Sequence, residues 1–317
     1  MTSKLVCVLL STITLLSLTW CSSMNSILSL RSMKSLETDL MDTVIEGARM
    51  ALDGCQKQFK WERWNCPETA VLRHGRQPST KETAFLVAIT SAGIVYSITR
   101  NCSRGDLTGC ISATEMSGPS NYLDYGEQIT QQVLNEADNG RDPQAFANLH
   151  NNAAGRMAVR TTMQKRCRCH GVSGSCSLQT CWMQMAAFSK ISEELRTRYD
   201  RAERLDLDPA FNTVGDTDIT RDIPKEDLVY LLDSPNYCRP NTMAGWPGTS
   251  GRACSRNKAP SATRAERKSC KTLCRECGHR VRRERSQTTR RCNCTFHWCC
   301  EVKCDTCRET VDQFFCE

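Results

Sequence analysis

Apolar residues recur at helical spacing through the N-terminal part of the chain. Between Ser32 and Leu52, the positions Leu36, Leu40, Val44, Ala48 and Leu52 fall every four residues, and Met33, Met41 and Ile45 widen the stripe. This period predicts an amphipathic helix. The segment Ala84–Thr99 is apolar nearly all round, which predicts a central buried helix. Its length and its Ser and Thr content argue against a membrane anchor. Ser79 with Glu82 reads as a capping box opening that helix. Asp142-Pro143 opens another, with Asp as cap and Pro in the first turn; Phe146, Leu149, Ala153, Met157 and Val159 are its expected buried face. Phe188, Ile191, Leu195 and Tyr199 mark a further helix. Residues 203–237 lose the period and carry Asp, Pro, Gly and Thr, the composition of a long loop or linker. Beyond Cys238 no helical period survives, and short strands and loops are expected.

Cysteine content divides the chain further. Lys4, the apolar run Leu5–Trp20 and Cys21-Ser22-Ser23 form a signal-peptide pattern with cleavage near Ser23. Without that segment, 20 of the 22 cysteines remain. In an oxidising compartment an even set reads as a disulfide framework, whose pairing spacing alone does not give. Eight cysteines fall in 24–237 and twelve in 238–317. The expected fold is therefore a mainly α N-terminal domain at 24–225, a linker at 226–237 and a small disulfide-rich β/loop domain at 238–317. The second domain has few large apolar residues and must rely on cross-links, each typically worth about 2–4 kcal/mol. It also holds 17 Lys/Arg against 8 Asp/Glu, whereas the rest of the chain is slightly acidic. Such a basic half is drawn to a polyanion. The run Arg264–Arg291, with eleven basic residues to three Glu, reads either as a solvated face or, outside a cell, as a site for heparan sulfate. Secretion argues against nucleic acid.

The densest chemistry lies at Arg166–Trp182, RCRCHGVSGSCSLQTCW. Cys167, Cys169, Cys176 and Cys181 bracket a loop of Gly171, Val172, Ser173, Gly174 and Ser175. Glycine supplies positive φ cheaply, and cross-links around such a loop hold a small hydroxyl residue at a tip. A stapled serine at such a tip points to modification or docking rather than catalysis. GVSGS lacks the last glycine of a nucleophile elbow and has no strand–turn–helix context. Cys274-x-x-Cys277 and Cys304-x-x-Cys307, with His279 and His297 nearby, have zinc-ligand spacing. Behind a signal peptide, disulfides are the better account, and no metal or other cofactor is expected. Asn101-Cys102-Ser103 and Asn293-Cys294-Thr295 are glycosylation sequons. Asn101 is the favoured acceptor; Asn293, between two cysteines expected to cross-link early, is disfavoured. Cys299-Cys300 is followed by Glu301-Val302-Lys303, not by the His-Asp pair of a secreted phospholipase. No catalytic residue is predicted.

At RCRCHGVSGSCSLQTCW the chain resembles the Wnt family of signalling glycoproteins, of which this cysteine-Gly-Ser loop is the signature. WNCP at Trp64–Pro67, KETAFLVAITSAGIVYSITRNCS at Lys81–Ser103, NLHNNAAGR at Asn148–Arg156, RKSCKTLC at Arg267–Cys274 and CNCTFHWCCEVKC at Cys292–Cys304 agree. The similarity runs from about residue 30 to the C terminus, and LLDSPNYC at Leu231–Cys238 is most similar to the subclass numbered eight.

The resemblance implies a secreted ligand rather than an enzyme, with a helical domain carrying a thumb hairpin (167–181) and a cysteine-rich domain carrying a finger loop (294–304). It implies a monounsaturated fatty acyl chain esterified to Ser175 by the acyltransferase Porcupine, and export by the carrier Wntless. Val172, Gly174 and the acylated Ser175 then enter the cysteine-rich domain of Frizzled, which Phe296, Trp298, Cys299, Cys300 and Val302 grip from the other side. Low-density-lipoprotein-receptor-related proteins are the implied co-receptors. The implied pairing is Cys55–Cys66, Cys102–Cys110, Cys167–Cys181, Cys169–Cys176, Cys238–Cys277, Cys254–Cys270, Cys274–Cys316, Cys292–Cys307, Cys294–Cys304 and a vicinal Cys299–Cys300. Without the family, Cys299 and Cys300 would each be given a distant partner. One departure stands out: relatives carry a further cysteine pair soon after Cys110, where this chain reads ISATEMSGPSNYLDYGE. An unlipidated antagonist or matrix-binding protein is the alternative.

Overall fold

The structure, a computed structural model, describes residues 38–71, 77–110, 119–135, 142–205, 223–242, 244–298 and 300–317. The expected signal peptide at 1–23 and residues 111–118 of the segment after Cys110 lie outside the described residues. The chain divides into two compact units, one of Met1–Gln58 and Cys66–Pro235, the other of Phe59–Asn65 and Asn236–Glu317.

In the first unit, helices α1 (Thr38–Gln58), α2 (Glu68–Val71), α3 (Lys81–Arg104), α4 (Pro119–Asn135), α5 (Pro143–Thr161) and α6 (Phe188–Arg201) are arranged with α3 at the centre, packed against α1, α4, α5 and α6. Its side chains Phe85, Leu86, Ile89, Ile94 and Ile98 are buried. By length and composition α3 could cross a membrane, contrary to the expectation from sequence, but 89% of its most apolar window is buried within the protein. Glycines let the helices cross closely: a Cβ added to Gly93 would lie 2.3 Å from the Gly47 carbonyl oxygen of α1.

Two local expectations change. The capping box of α3 is made by Thr80 and Thr83, each backbone N–H donating to the other's hydroxyl. Glu82 instead accepts from Tyr199 (3.3 Å) and Ser234 (2.6 Å). Asp142 caps α5 as expected, accepting from Ala145 N–H at 2.7 Å. Yet the buried face of α5 is small and polar: Ala147, Asn148, Asn151, Ala154, Gly155, Ala158 and Val159 are buried, while Phe146, Leu149, Ala153 and Met157 are half-buried. Close approach explains this, since a Cβ on Gly155 would lie 2.1 Å from the Ala88 carbonyl oxygen.

The expected linker at 226–237 is also revised. Leu228 and Val229 are buried, and β3 (Glu203–Arg204) pairs in parallel with β4 (Val229–Tyr230). Asn151 exchanges two hydrogen bonds with the Val229 backbone, both 2.9 Å. Arg198, 1% exposed, donates to Glu194 and to the carbonyls of Ala154 and Glu226. These contacts place 226–230 inside the helical unit.

The second unit contains β5 (Ala253–Cys254), a short helix α7 (Arg264–Ser269) continuing into a π turn at Cys270–Cys274, and a long antiparallel hairpin of β6 (Val281–His297) and β7 (Glu301–Cys316), with β5 on the other edge of β7. Its core is built mostly of half-cystines, Cys254, Cys270, Cys274 and Cys316 around Leu273. The strands are long where short ones were expected, and a helix appears where none was. Both faces of most of the hairpin meet solvent, so β6 carries no buried-face alternation for a sequence pattern to reveal. Phe59 and Trp64, expected in the first domain, pack edge to face at 5.0 Å in this unit. Arg252 holds their loop by donating to the carbonyls of Lys60, Glu62 and Arg63. Burial among these groups pulls its guanidinium down to about 10, against the opposing charge of Glu62.

Candidate functional site

The thumb hairpin is built from β1 (Gln164–Cys169) and β2 (Gln179–Gln184), paired antiparallel with Cys167 opposite Cys181. Disulfides Cys167–Cys181 and Cys169–Cys176 brace the strands and the loop. Beyond them the chain closes a compact tip: Gly171 N–H donates to Ser175 O (2.8 Å), and Ser175 N–H donates to Val172 O (3.1 Å). Ser173 and Gly174 adopt positive φ of 57° and 77°. Gly171 is required for a different reason, because a Cβ there would lie 2.1 Å from Ser175 Oγ. These constraints turn Ser175 outward, exposed, with its hydroxyl 3.0 Å from that of Ser177. Val172 beside it is 90% exposed. The structure thus gathers Val172, Gly174 and Ser175 at one tip. Among the described residues the Ser175 hydroxyl bonds to the Ser177 hydroxyl and to no acid or base, so the tip presents it as an ordinary alcohol.

Sequence reasoning passed over three neighbours. Leu178, Trp182 and Met183 are exposed large apolar side chains on the β2 limb of the hairpin. Trp182-Met183 between glutamines in an otherwise polar strand was the signal for them.

The finger is the far end of the β6–β7 hairpin. Cys292–Cys307 and Cys294–Cys304 tie its strands at the start of, and within, a bulge between Cys292 and Thr295. At the tip Phe296 is 70% exposed, Trp298 96% and Val302 60%. A hairpin that holds such side chains in water, tied by two cross-links, is prepared for a partner. Cys300 is exposed and has no disulfide partner among the described residues; Cys299, its expected partner, lies outside them. The remaining disulfides are Cys55–Cys66, Cys102–Cys110, Cys238–Cys277, Cys254–Cys270 and Cys274–Cys316. The four cysteines at zinc-like spacing are therefore all in disulfides.

Asn101 sits in the last turn of α3 and donates through Nδ2 to Thr43 Oγ1 at 3.1 Å. Asn293 is exposed at the bulge with φ 49°, its Nδ2 3.3 Å from Asp305. The basic run resolves into two parts. On β6, Arg283 and Arg285 face Asp312, and Arg290 pairs with Glu309 at 3.2 Å. The hydrogen bond from Arg283 holds the Asp312 carboxyl below the ordinary carboxylate range. Arg264, Arg267, Lys268, Lys271 and Arg275, by contrast, are all exposed along the helical stretch 264–277. Within the α-helical turns, Arg264, Arg267 and Lys268 share one face by their spacing of three and four residues, whereas Lys271, in the π turn, lies 3.9 Å from Glu276.

A family model described as wnt, the Wnt family, matches residues 26–317. The chain belongs to the Wnt family, whose members are secreted signalling ligands. Similar curated proteins include Protein Wnt-8a of Danio rerio, 40% identical over 296 residues that cover 86% of this chain and 82% of that one. Protein Wnt-8b of Homo sapiens is 41% identical over 293 residues, covering 86% and 83%. The resemblance to the subclass numbered eight at Leu231–Cys238 agrees with these relatives. A chain of the solved complex of human WLS with WNT8A superposes with a TM-score of 0.74 at 38% identity, covering 93% of this chain and 99% of that one.

Proposed function

We propose that the protein is a lipid-modified ligand for Frizzled receptors, carrying a monounsaturated acyl chain on Ser175. The observation that carries this reading is the tip geometry: an exposed hydroxyl, held by two disulfides and two distinct glycine constraints, with no catalytic partner. Porcupine supplies the acyl group during secretion, and a Wntless carrier exports the product; the likeness to a chain of the WLS–WNT8A complex supports the latter. Burying an acyl chain gains about 0.8 kcal/mol per methylene, so the lipid supplies much of the receptor affinity. The braced loop loses little conformational freedom on docking. Phe296, Trp298 and Val302 form the second receptor contact, and low-density-lipoprotein-receptor-related proteins are the co-receptors. Heparan sulfate binds the exposed cations Arg264, Arg267 and Lys268 of α7 rather than Arg283, Arg285 and Arg290 of β6, which already have acidic partners.

Mass spectrometry of the reduced peptide 169–190, from protein secreted by acylation-competent cells, tests the modification. An acyl mass on Ser175 is expected. A bare serine would favour the unlipidated antagonist instead.

A further inference from the structure

Ser175 has a second hydroxyl beside it. Ser175 Oγ and Ser177 Oγ lie 3.0 Å apart and share a hydrogen bond. Both pack over the bare Cα of Gly171, where an added Cβ would lie 2.1 Å from Ser175 Oγ and 2.5 Å from Ser177 Oγ. The backbone fixes the pair as well. Cys176, between the two serines, is cross-linked to Cys169. Gly171 N–H donates to Ser175 O at 2.8 Å on one side, and His170 N–H donates to Leu178 O at 2.7 Å on the other. Both serines are exposed.

These constraints acquire a chemical meaning once Ser175 is esterified. The acyl carbonyl carbon is then bonded directly to Ser175 Oγ, the atom that Ser177 Oγ already touches. Reacting atoms held about 3–3.5 Å apart in a fixed orientation react as though at very high concentration. Two oxygens this close can bond the same carbon in turn. Both esters are those of primary alcohols on one exposed loop, so neither position is strongly favoured over the other.

We infer that Ser177 is a second acyl site, filled by transfer from Ser175. The inference rests on the acylation proposed above. Ser177 Oγ attacks the ester carbonyl carbon and gives up its proton. The tetrahedral intermediate collapses by breaking the bond from that carbon to Ser175 Oγ, which takes up a proton. One C–O bond forms, one breaks, and no reagent is consumed. Among the described residues neither hydroxyl bonds to an acid or base, so hydroxide from the medium sets the pace, and transfer is slow and faster at higher pH. The consequence is a ligand that ages without losing mass: the root of the lipid moves from the tip to the limb that leads into β2, and Ser175 is left bare.

The experiment takes full-length protein freshly secreted by acylation-competent cells and holds it for days at about pH 6.5 and about pH 8.5. Fragmentation of the reduced peptide 169–190 on either side of Cys176 locates the acyl mass. The acyl group is expected on Ser175 at the start. The share on Ser177 should then grow toward comparable occupancy, about a hundredfold faster at the higher pH, in proportion to hydroxide. In Ser177→Ala the acyl mass stays on Ser175, and in Ser175→Ala neither position is acylated. Acyl mass confined to Ser175 at the higher pH, or released as free acid before any reaches Ser177, overturns the transfer. So does acyl mass on Ser177 in Ser175→Ala, the mark of direct acylation. Absence of any acyl mass on the fresh wild-type protein instead overturns the acylation itself, and the transfer with it.

Discussion

At the scale of residues, the presentation of Ser175 depends on two glycines that do different work. Gly174 has φ 77° and open space where a Cβ would sit. Gly174→Val is therefore a purely backbone perturbation, costing about 1–2 kcal/mol of loop order. Faster amide exchange at Ser175, with an unchanged melting temperature, is the expected readout. Gly171→Ala puts its methyl against Ser175 Oγ and is expected to lower the fraction of chains acylated, measured on the same peptide mass. His150 carries a separate, testable consequence. Burial pulls its pKa below 6.5, opposed by the Asp227 carbonyl at 2.9 Å. The unfolded chain then binds the proton more readily than the folded one. Stability is complete above pH 6.5 and falls as the pH drops from there toward the depressed folded value. Chemical denaturation between pH 7.5 and 5 should show this slope, reduced in His150→Gln.

At the scale of elements, helix α3 was legible because apolar residues on every side leave only a buried position for it. The α1 and α6 stripes were legible for a different reason, an apolar residue every three or four positions on one face only. The face of α5 was not: Asn151 and Gly155 are buried through backbone contacts with Val229 and Ala88, which apolar periodicity does not encode. The strand at 229–230 was hidden likewise, since its partner Glu203–Arg204 lies across a segment with no pattern. The cysteine loop of the thumb was plain from spacing, but the role of Gly171 required the distance to Ser175. The separation of the exposed cations of α7 from the carboxylate-paired Arg283 and Arg290 of β6 also required the structure. Replacing Arg264, Arg267 and Lys268 together by alanine should lower the salt needed to elute the protein from heparin. Replacing Arg283 and Arg290 should change it little, because their charges are already partnered. Equal effects from the two sets would contradict this division.

At the scale of the whole molecule, the two units are stabilised differently. The helical unit buries Phe85, Leu86, Ile89, Ile94 and Ile98, whereas the other relies on half-cystines for its core. Reduction of all disulfides should therefore remove amide protection from β5–β7 while the centre of α3 stays protected, by hydrogen exchange; simultaneous loss would show one cooperative unit instead. Both units offer exposed apolar tips on cross-linked hairpins, which suits a ligand that binds through presented surfaces. The lipid at Ser175 is the strongest of these contacts in our account. Affinity of the secreted protein for an isolated Frizzled cysteine-rich domain, compared with that of Ser175→Ala, tests it most directly. The serine is exposed, so the variant should keep its circular dichroism. Loss of even four methylenes' burial amounts to about a hundredfold in affinity, and a drop of at least that size is expected. An unchanged affinity in folded Ser175→Ala would contradict the account.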